Sequence, residues 1–409
     1  MRLLCLGNAD NIGIRLYTWM KKRKLDVTLY RVCADEDQLR GNPYFYLSKS
    51  EINEDPKILS INQPMTKIRF ISLMGGKEIK KINQNFDVVV ITGGLHALLY
   101  SRKIKLPKIF IQVGYEIHHH AARCRGFPKI KHLFYSLRDT LREYFYCNLT
   151  RSSLRRATKI MDWFPPTVAV YKSLGFNKKI IYMAFGEDVK KNRETVKQSL
   201  LSKLNNETKK AKKVFLWFSR LNYSDPRAAS YKGPELFVAS LEQYIKQMKS
   251  GHLIVYMGKH GIEVDKFLKH ISNSPVFKLI RWIDHLSYPE LLTYLSIKNA
   301  VLFTEFGEVN SGISGIGRDG YSVGVPMINS NTNEMTIKQY TVPGERYFAS
   351  NINQISKVMN LFLEMNSKEY EMCRKKTLEY GNKYIDKSFF LNRLMFEFKK
   401  ILPRESAKG

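Results

Sequence analysis

Two basic residues in one short segment have the chemistry to hold a diphosphate. Arg220 follows an apolar run, Val214 to Phe218, and Lys232 lies twelve residues further on, before an amphipathic stretch. The guanidinium of arginine is a planar fork that matches phosphate oxygens, whereas the ammonium of lysine is a compact point charge. Ligands of open α/β sheets bind outside the carboxyl ends of the strands, where Arg220 is expected. The pair therefore predicts neutralisation of a leaving diphosphate.

A glycine-rich stretch further along the chain is typical of an anion site at the start of a helix. It runs from Gly312 to Gly317 and includes Ser314 and Gly315. Because glycine has no Cβ, its backbone N–H groups can approach an anion closely, and a helix start favours negative charge. Arg318 comes next and is expected to add a phosphate contact. We therefore expect Ser314, Gly315 and Gly317 to bind the diphosphate of the ligand.

These segments resemble the donor domain of retaining glycosyltransferases of the GT-B fold, in the family 4-like group. Ser219-Arg220-Leu221 is similar to the Gly-Arg-Leu element of that family, and Lys232-Gly233 to its Lys-Gly element. Glu305-Phe306-Gly307 is similar to its acidic residue before a Phe-Gly turn. The second acidic residue of the family corresponds to Asp319, and Gly324 to Ile328 resembles the Gly-x-Pro-Val-Ile element that follows it.

The resemblance implies a transfer of sugar from a nucleotide-diphosphate donor, with retention, in cell-surface glycan or glycolipid synthesis. It implies that Arg220 and Lys232 stabilise the departing diphosphate. It also implies that Glu305 binds sugar hydroxyls and that Asp319 binds ribose hydroxyls. These two carboxylates are fourteen positions apart, whereas the family spacing is eight, so the loop is longer here. Glu308 is therefore the alternative ligand for the sugar.

Three consecutive histidines, His118 to His120, follow a predicted strand that ends near Gly114. Consecutive side chains point in different directions on a strand or a helix, so they do not converge on one metal ion. The resemblance implies instead that His118 lies near the reacting centre, and a solvated loop histidine is the alternative. We expect no metal and no cofactor, with the nucleotide sugar as a substrate.

A turn from Gly7 to Gly13 follows the first predicted strand. Its sequence, GNADNIG, differs from the GxGxxG pattern and is a weak signal for a dinucleotide. In GT-B proteins this turn faces the acceptor side of the cleft, so the resemblance implies that role for Gly7, Asn8 and Gly13. The alternative is a turn that only joins a strand to a helix.

Composition indicates a globular protein with room for two domains. The chain has 409 residues, of which 44% are hydrophobic. No run approaches the roughly 20 apolar residues that span a membrane, and the first residues differ from a secretory signal. Five dispersed cysteines favour a reducing cytoplasm over a disulfide framework or a zinc site. The net charge of +30 predicts an anionic partner, either nucleic acid or acidic lipid.

Apolar runs without alternation, separated by helical patterns, predict α/β architecture with parallel sheets covered on both faces. We expect two Rossmann-like, doubly wound domains that face a cleft, as in the GT-B fold. The predicted domains are 1–190 for the acceptor, 191–385 for the nucleotide sugar, and 386–409 as a helix that returns to the first domain. Predicted strands of the second domain include Val276–Ile280 and Ala300–Phe303.

The segment Arg123 to Lys159 contains ten basic residues, two acidic ones, a leucine repeat and several aromatics. This pattern predicts a basic amphipathic helix at an anionic membrane surface, and an ordinary packed helix is the alternative. The expected location is the cytoplasm, with peripheral contact to the inner membrane face. Two other functions stay open: a GT-B protein that binds without catalysis, and a basic α/β protein that binds nucleic acid.

Overall fold

A computed structural model describes residues 1–8, 11–32, 54–61, 65–92, 94–112, 137–162, 165–183, 185–221, 232–247, 253–261, 263–304, 315–330, 348–349 and 351–402. The chain divides into two units. The first comprises Met1–Trp163, Thr167–Met183 and Leu391–Gly409, and the second comprises Phe164–Pro166 and Ala184–Phe390. These divisions lie within seven residues of the boundaries expected at 190/191 and 385/386.

The sheet of the first unit has seven parallel strands in the order β3-β2-β1-β4-β5-β6-β7. The strands are β1 Arg2–Leu6, β2 Asp26–Val32, β3 Ile58–Ile61, β4 Val88–Ile91, β5 Lys108–Ile111, β6 Lys159–Asp162 and β7 Ile180–Tyr182. The central strands are buried along almost their whole length, whereas β3 at the edge is partly exposed. Burial on both faces explains the runs of valine, isoleucine and leucine in the sequence.

The sheet of the second unit has six parallel strands in the order β10-β9-β8-β11-β12-β13. They are β8 Lys213–Trp217, β9 Leu253–Gly258, β10 Ile280–Ile283, β11 Ala300–Phe303, β12 Met327–Ser330 and β13 Phe348–Ala349. The strand order reverses between β8 and β11, which makes a topological switch point there. The first sheet has the equivalent point between β1 and β4.

Helices connect most of the successive strands in the described residues. In the first unit they are Ile12–Lys22, Met65–Met74, Lys77–Asn85, Leu95–Tyr100, Leu137–Arg156 and Pro165–Ser173. In the second unit they are Val189–Glu194, Gln198–Thr208, Pro234–Gln247, Val264–Ile271, Tyr288–Leu295, Gly315–Val323, Ile352–Glu364 and Ser367–Tyr380. A last helix, Lys387–Ile401, runs from the second unit into the part of the chain that belongs to the first. The described helices include none that is long and apolar enough to cross a membrane.

The predicted fold class is confirmed, since both sheets are parallel and doubly wound. The prediction of a strand at Val276–Ile280 is wrong in position. A 3-10 turn, Phe277–Leu279, takes up most of that run, and the strand begins at Ile280. The sequence analysis also missed the short strands β3, β6 and β13.

The cysteine expectation is wrong at one position. Cys147, on the helix Leu137–Arg156, is disulfide-bonded, and its partner lies outside the described residues. Cys5 and Cys373 are free and buried. The inference of a reducing compartment from cysteine spacing therefore loses its support, and the cytoplasmic location stays a prediction.

Candidate functional site

Arg220 lies just beyond the carboxyl end of β8, beside the switch point of the second sheet. Its neighbours in sequence are fixed: Ser219 is 4% exposed and Leu221 is fully buried. The indole Nε1 of Trp217 donates to the carbonyl of Ser219 at 3.0 Å, and Leu221 N donates to the carbonyl of His260 at 2.7 Å. Arg220 itself is exposed. A fixed turn thus presents one exposed, permanently charged side chain to solvent.

Lys232 stands at the start of the helix Pro234–Gln247. Gly233 has φ 72°, a left-handed conformation that glycine adopts without strain, and the helix begins directly after it. The ring of Phe237 on this helix stacks on Trp217 with centroids 5.3 Å apart. This packing holds the helix start at the end of the sheet where Arg220 lies. Lys232 is 7% exposed, so its charge lies in a largely buried place.

A carboxyl group follows Lys232 three residues later in the sequence. Glu235 is in the first turn of the helix Pro234–Gln247, and burial raises its pKa to about 7. Its side chain therefore exchanges a proton near neutral pH, unlike an exposed glutamate. The sequence analysis gave Glu235 no role.

Asp319 lies on the helix Gly315–Val323, which packs against β11 and β12. Close packing sets the position of this helix, because a Cβ on Gly320 would lie 2.9 Å from both Leu302 Cδ2 and Met327 Sδ. The hydroxyl of Tyr288 donates to Asp319 Oδ1 at 2.6 Å. This hydrogen bond orients the carboxylate, which has further lone pairs for ligand hydroxyls. Gly315 and Gly317 begin the same helix, as the sequence predicted.

Arg318 makes contacts within the second unit that the sequence did not predict. Its Nη1 donates to the carbonyl of Phe185 at 3.1 Å and lies 3.4 Å from Glu187 Oε1. Glu187 is 3% exposed, and Arg318 offsets its buried charge. These contacts favour a structural role for Arg318 over the expected phosphate contact.

His260 follows β9 and is the residue near Arg220 that sequence reasoning missed. Its side chain hydrogen-bonds to the backbone of Phe218. Although His260 is exposed, loss of part of its hydration lowers its pKa below the ordinary value, and the positive charge of Arg220 lowers it further. A signal existed in the sequence, since Lys259 and His260 follow directly after an apolar strand that ends in glycine.

The turn after β1 in the first unit is closed by its own hydrogen bonds. The hydroxyl of Thr92, just after β4, donates to the carbonyl of Gly7 at 2.7 Å. Ile14 N donates to Asn8 Oδ1 at 2.8 Å, and Asn8 is 1% exposed. Gly13 lies so close that an added Cβ would be 2.1 Å from Gly7 O. This geometry favours a strand–helix connection over direct contact of these residues with an acceptor.

Four predicted site residues lie outside the described residues: His118, Glu305, Glu308 and Ser314. Their roles stay predictions. Among the residues that the structure describes, no group of His, Cys, Asp or Glu side chains is arranged to hold a metal ion.

No family model and no curated protein matches this chain in sequence. Solved structures match it along nearly its whole length. The structure of HepE from Anabaena in complex with UDP-glucose has a TM-score of 0.63 and 11% identity, and covers 98% of this chain and 100% of HepE. A glycosyltransferase from Rickettsia africae ESF-5 has a TM-score of 0.64 and 13% identity, with 98% of each chain covered. For sucrose-phosphate synthase from Thermosynechococcus elongatus the TM-score is 0.62 and the identity 11%, with 98% of this chain and 99% of the synthase covered.

Identities this low show the fold alone. The chain has the GT-B fold, and its structural neighbours include glycosyltransferases, as the sequence resemblance predicted. Its Arg220 and Lys232 lie at the carboxyl edge of the second sheet of that fold.

Proposed function

We propose that the protein is a glycosyltransferase that moves a sugar from a nucleotide-diphosphate donor to an acceptor, with retention of anomeric configuration. One observation carries the proposal: Arg220 follows β8 and Lys232 directly precedes the next helix, beside the switch point between β8 and β11. Ligands of doubly wound sheets bind at such points. HepE, which has a similar fold, binds UDP-glucose, and this supports a nucleotide sugar as the ligand class.

In this proposal Arg220 and Lys232 stabilise the negative charge that develops on the leaving diphosphate. Fixed charges that act where charge grows in the transition state lower the barrier most. The fixed turn around Arg220 and the buried setting of Lys232 suit this role, because neither group needs large reorganisation. The backbone N–H groups of Ser314, Gly315 and Gly317 would add donors to the same anion.

In this proposal different carboxylates bind the ribose and the sugar of the donor. Asp319, oriented by Tyr288, accepts hydrogen bonds from the ribose hydroxyls. Glu305, or Glu308 in the longer loop, accepts them from the sugar, with His118 near the reacting carbon. Cationic side chains take the place of a metal ion on the diphosphate. We therefore expect turnover to persist in EDTA, and an absolute need for Mn²⁺ or Mg²⁺ would contradict this part of the proposal.

The acceptor would be a glycan or a lipid-linked glycan bound by the first unit. A peripheral membrane contact through the segment Arg123 to Lys159 would suit a lipid-linked acceptor. On its helix, Tyr144 and Phe145 are 63% and 41% exposed, while Leu149 and Leu154 are buried. The helix thus has a packed face and an outward aromatic pair. Each lysine or arginine near an anionic leaflet contributes about 1 kcal/mol to binding.

Liposome flotation tests the membrane contact. The variant replaces four cations of the segment by glutamine, and the control replaces four exposed lysines of the second unit: Arg138, Arg142, Arg155 and Arg156 against Lys209, Lys210, Lys269 and Lys278. Wild type and control should float with anionic vesicles at low salt, and the variant should stay in solution. Equal flotation of all three proteins would leave the segment as a solvated surface and favour a soluble acceptor.

A thermal-shift screen with UDP-, GDP-, dTDP- and ADP-sugars, all of which contain a diphosphate, tests the proposed function. A ligand that binds only the native state raises the unfolding temperature, so at least one nucleotide sugar should do so. The shift should shrink in Arg220→Ala. If no nucleotide sugar stabilises the protein, the proposal is wrong. If one stabilises it but is never turned over with any acceptor, the protein is a binding protein that retains the fold.

A further inference from the structure

The imidazole of His260 has a fixed position beside Arg220, although the mechanism above gives it no role. The ring lies against Gly258, where any other residue would bring a Cβ to 2.8 Å from Nδ1. Its side chain hydrogen-bonds to the backbone of Phe218 just beyond β8. The carbonyl of His260 accepts from Leu221 N at 2.7 Å. His260 therefore hydrogen-bonds to Phe218 and Leu221, which lie on either side of Arg220 in the same turn.

The charged groups around His260 come from three strand ends. Arg220 follows β8, Lys259 precedes His260 after β9, and Asp284 and His285 follow β10. Lys259 Nζ lies 3.2 Å from Asp284 Oδ1, so these two charges offset each other. Loss of hydration, Arg220 and His285 disfavour a protonated imidazole and outweigh the hydrogen bond to Phe218, which favours it, so the pKa of His260 is below its ordinary value of about 6.5. The histidine is therefore mostly neutral at neutral pH before a ligand binds.

A neutral imidazole has one N–H group and one nitrogen with a lone pair. The side chain gives its N–H to the backbone of Phe218. The other nitrogen repels a phosphate oxygen unless it gains a proton, because both atoms are acceptors. A diphosphate next to Arg220 brings negative charge close to the ring, and nearby negative charge favours the protonated form.

We propose that His260 is a third diphosphate-binding group of the donor site, and that it takes up one proton when the diphosphate of a nucleotide sugar binds. The inference rests on the proposed function, since it places the diphosphate beside Arg220. The proton comes from the solvent and forms an N–H bond on the second ring nitrogen. That N–H then donates to a phosphate oxygen, and the first N–H stays on Phe218.

Proton uptake on binding fixes the direction of the pH dependence. Binding tightens as pH falls wherever the complex holds more protons than the free protein. The window extends from the pKa of His260 in the free protein, which is below its ordinary value, up to its higher pKa in the complex. We expect donor affinity to be about three- to tenfold higher near pH 6 than near pH 8.

Isothermal titration calorimetry with UDP-glucose and GDP-mannose tests this inference, using whichever ligand binds. Both diphosphates are diesters, so neither gains or loses a proton in this pH range. Titrations in two buffers with different ionisation enthalpies measure the protons taken up. All proteins in this experiment carry Glu235→Gln, because Glu235 follows Lys232 closely and its pKa of about 7 would add a second proton uptake in the same pH range. In that background, which serves as wild type here, His260→Gln removes the titrating ring, and His270→Gln is the matched control, on the helix Val264–Ile271.

Wild type and His270→Gln should take up a proton and bind more tightly at the lower pH. His260→Gln should take up none and should bind with nearly constant affinity. Proton uptake that persists in His260→Gln would overturn the inference, and so would wild-type binding that does not change with pH. Donor binding without proton uptake leaves the proposed function intact, whereas no binding of any nucleotide sugar at any pH overturns both.

Discussion

The two switch points of this molecule have the same strand topology but differ in how their polar and charged side chains are used. In the first sheet, polar groups after β1 and β4 bond to each other, as Thr92 does to Gly7 O and Asn8 to Ile14 N. In the second sheet, the third residue after β8 is the exposed Arg220. Thr304, just after β11, bonds towards β12 through Ile328 and Asn329. At the first switch point the described polar groups bond to the backbone, whereas at the second the charged side chain of Arg220 is exposed to solvent.

This difference distinguishes residues whose polar groups stabilise the fold from residues whose charges are exposed to a ligand. A glycine-rich turn after a first strand invites a ligand-binding interpretation, yet the turn at Gly7 uses its polar atoms internally. Among the described residues of this turn, the polar groups of Thr92 and Asn8 bond to the backbone of Gly7 and Ile14, which is what a stable connection requires. Arg220, by contrast, lies exposed on a fixed turn. Substitutions at the first switch point should therefore affect stability, and those at the second should affect ligand binding and rate.

The largest expected effect is that of Gly13→Ala on stability. Its new Cβ would lie 2.1 Å from Gly7 O and 2.9 Å from Thr92 Oγ1, and a backbone oxygen cannot easily move away. We expect a loss of more than about 3 kcal/mol in urea denaturation. Gly94→Ala is the matched control after β4, because its Cβ would meet nothing within 4 Å. Equal stability of the two variants would show that the first switch point is loosely packed.

A smaller effect is expected on binding from the carboxylates of the second unit. Asp319→Ala should weaken binding of free nucleoside diphosphate roughly 10- to 100-fold, because it removes a charged acceptor for ribose hydroxyls. Tyr288→Phe should weaken it less, since it removes only the orienting hydrogen bond. Glu305→Ala should weaken binding of the intact sugar donor alone. If calorimetry shows that sugar-specific loss in Glu308→Ala instead, the longer loop places Glu308 at the sugar.

The smallest expected effect is that of Asn8→Ala. It removes the acceptor for Ile14 N in a buried turn and should reduce stability by about 1–2 kcal/mol. Asn8→Asp keeps an acceptor oxygen and should lose less. Once folded, Asn8→Ala should have an unchanged KM for the acceptor. A raised KM with unchanged stability would instead support the acceptor role that the family resemblance implied.

The sequence predicted the sheets well where strands are buried on both faces. The run Ala300–Phe303 is fully apolar and matches β11 residue for residue. The prediction from the apolar pattern failed at Val276–Ile280. Val276 N donates to Ser274 Oγ there, and a turn precedes the strand. The prediction also missed the edge strand β3, whose residues are half-exposed and have a weaker apolar signal. Short turns and sheet edges depend on local hydrogen bonds that apolar patterns do not record.

The candidate site was predictable to the extent that its residues form local motifs. Arg220 and Lys232 lie next to the ends of recognisable elements, so their positions followed from the strand and helix boundaries. The environment of His260 depends on a contact with Leu221, which is 39 residues away in sequence. The contact of Arg318 with Glu187 joins residues that are even further apart. Long-range pairing of this kind decides which charges are available to a ligand.

The most direct test of the central claim is the turnover of a stabilising nucleotide sugar by Arg220→Ala and Lys232→Ala. Lys259→Ala is the control, since it removes a cation from the same sheet edge that pairs with Asp284. Release of nucleoside diphosphate should fall on the order of 10²–10³-fold in both test variants and less than about threefold in the control. Unfolding temperatures without ligand should change little in Arg220→Ala, because that side chain is exposed. Near-normal turnover in both test variants would contradict the assignment of this edge as the diphosphate site.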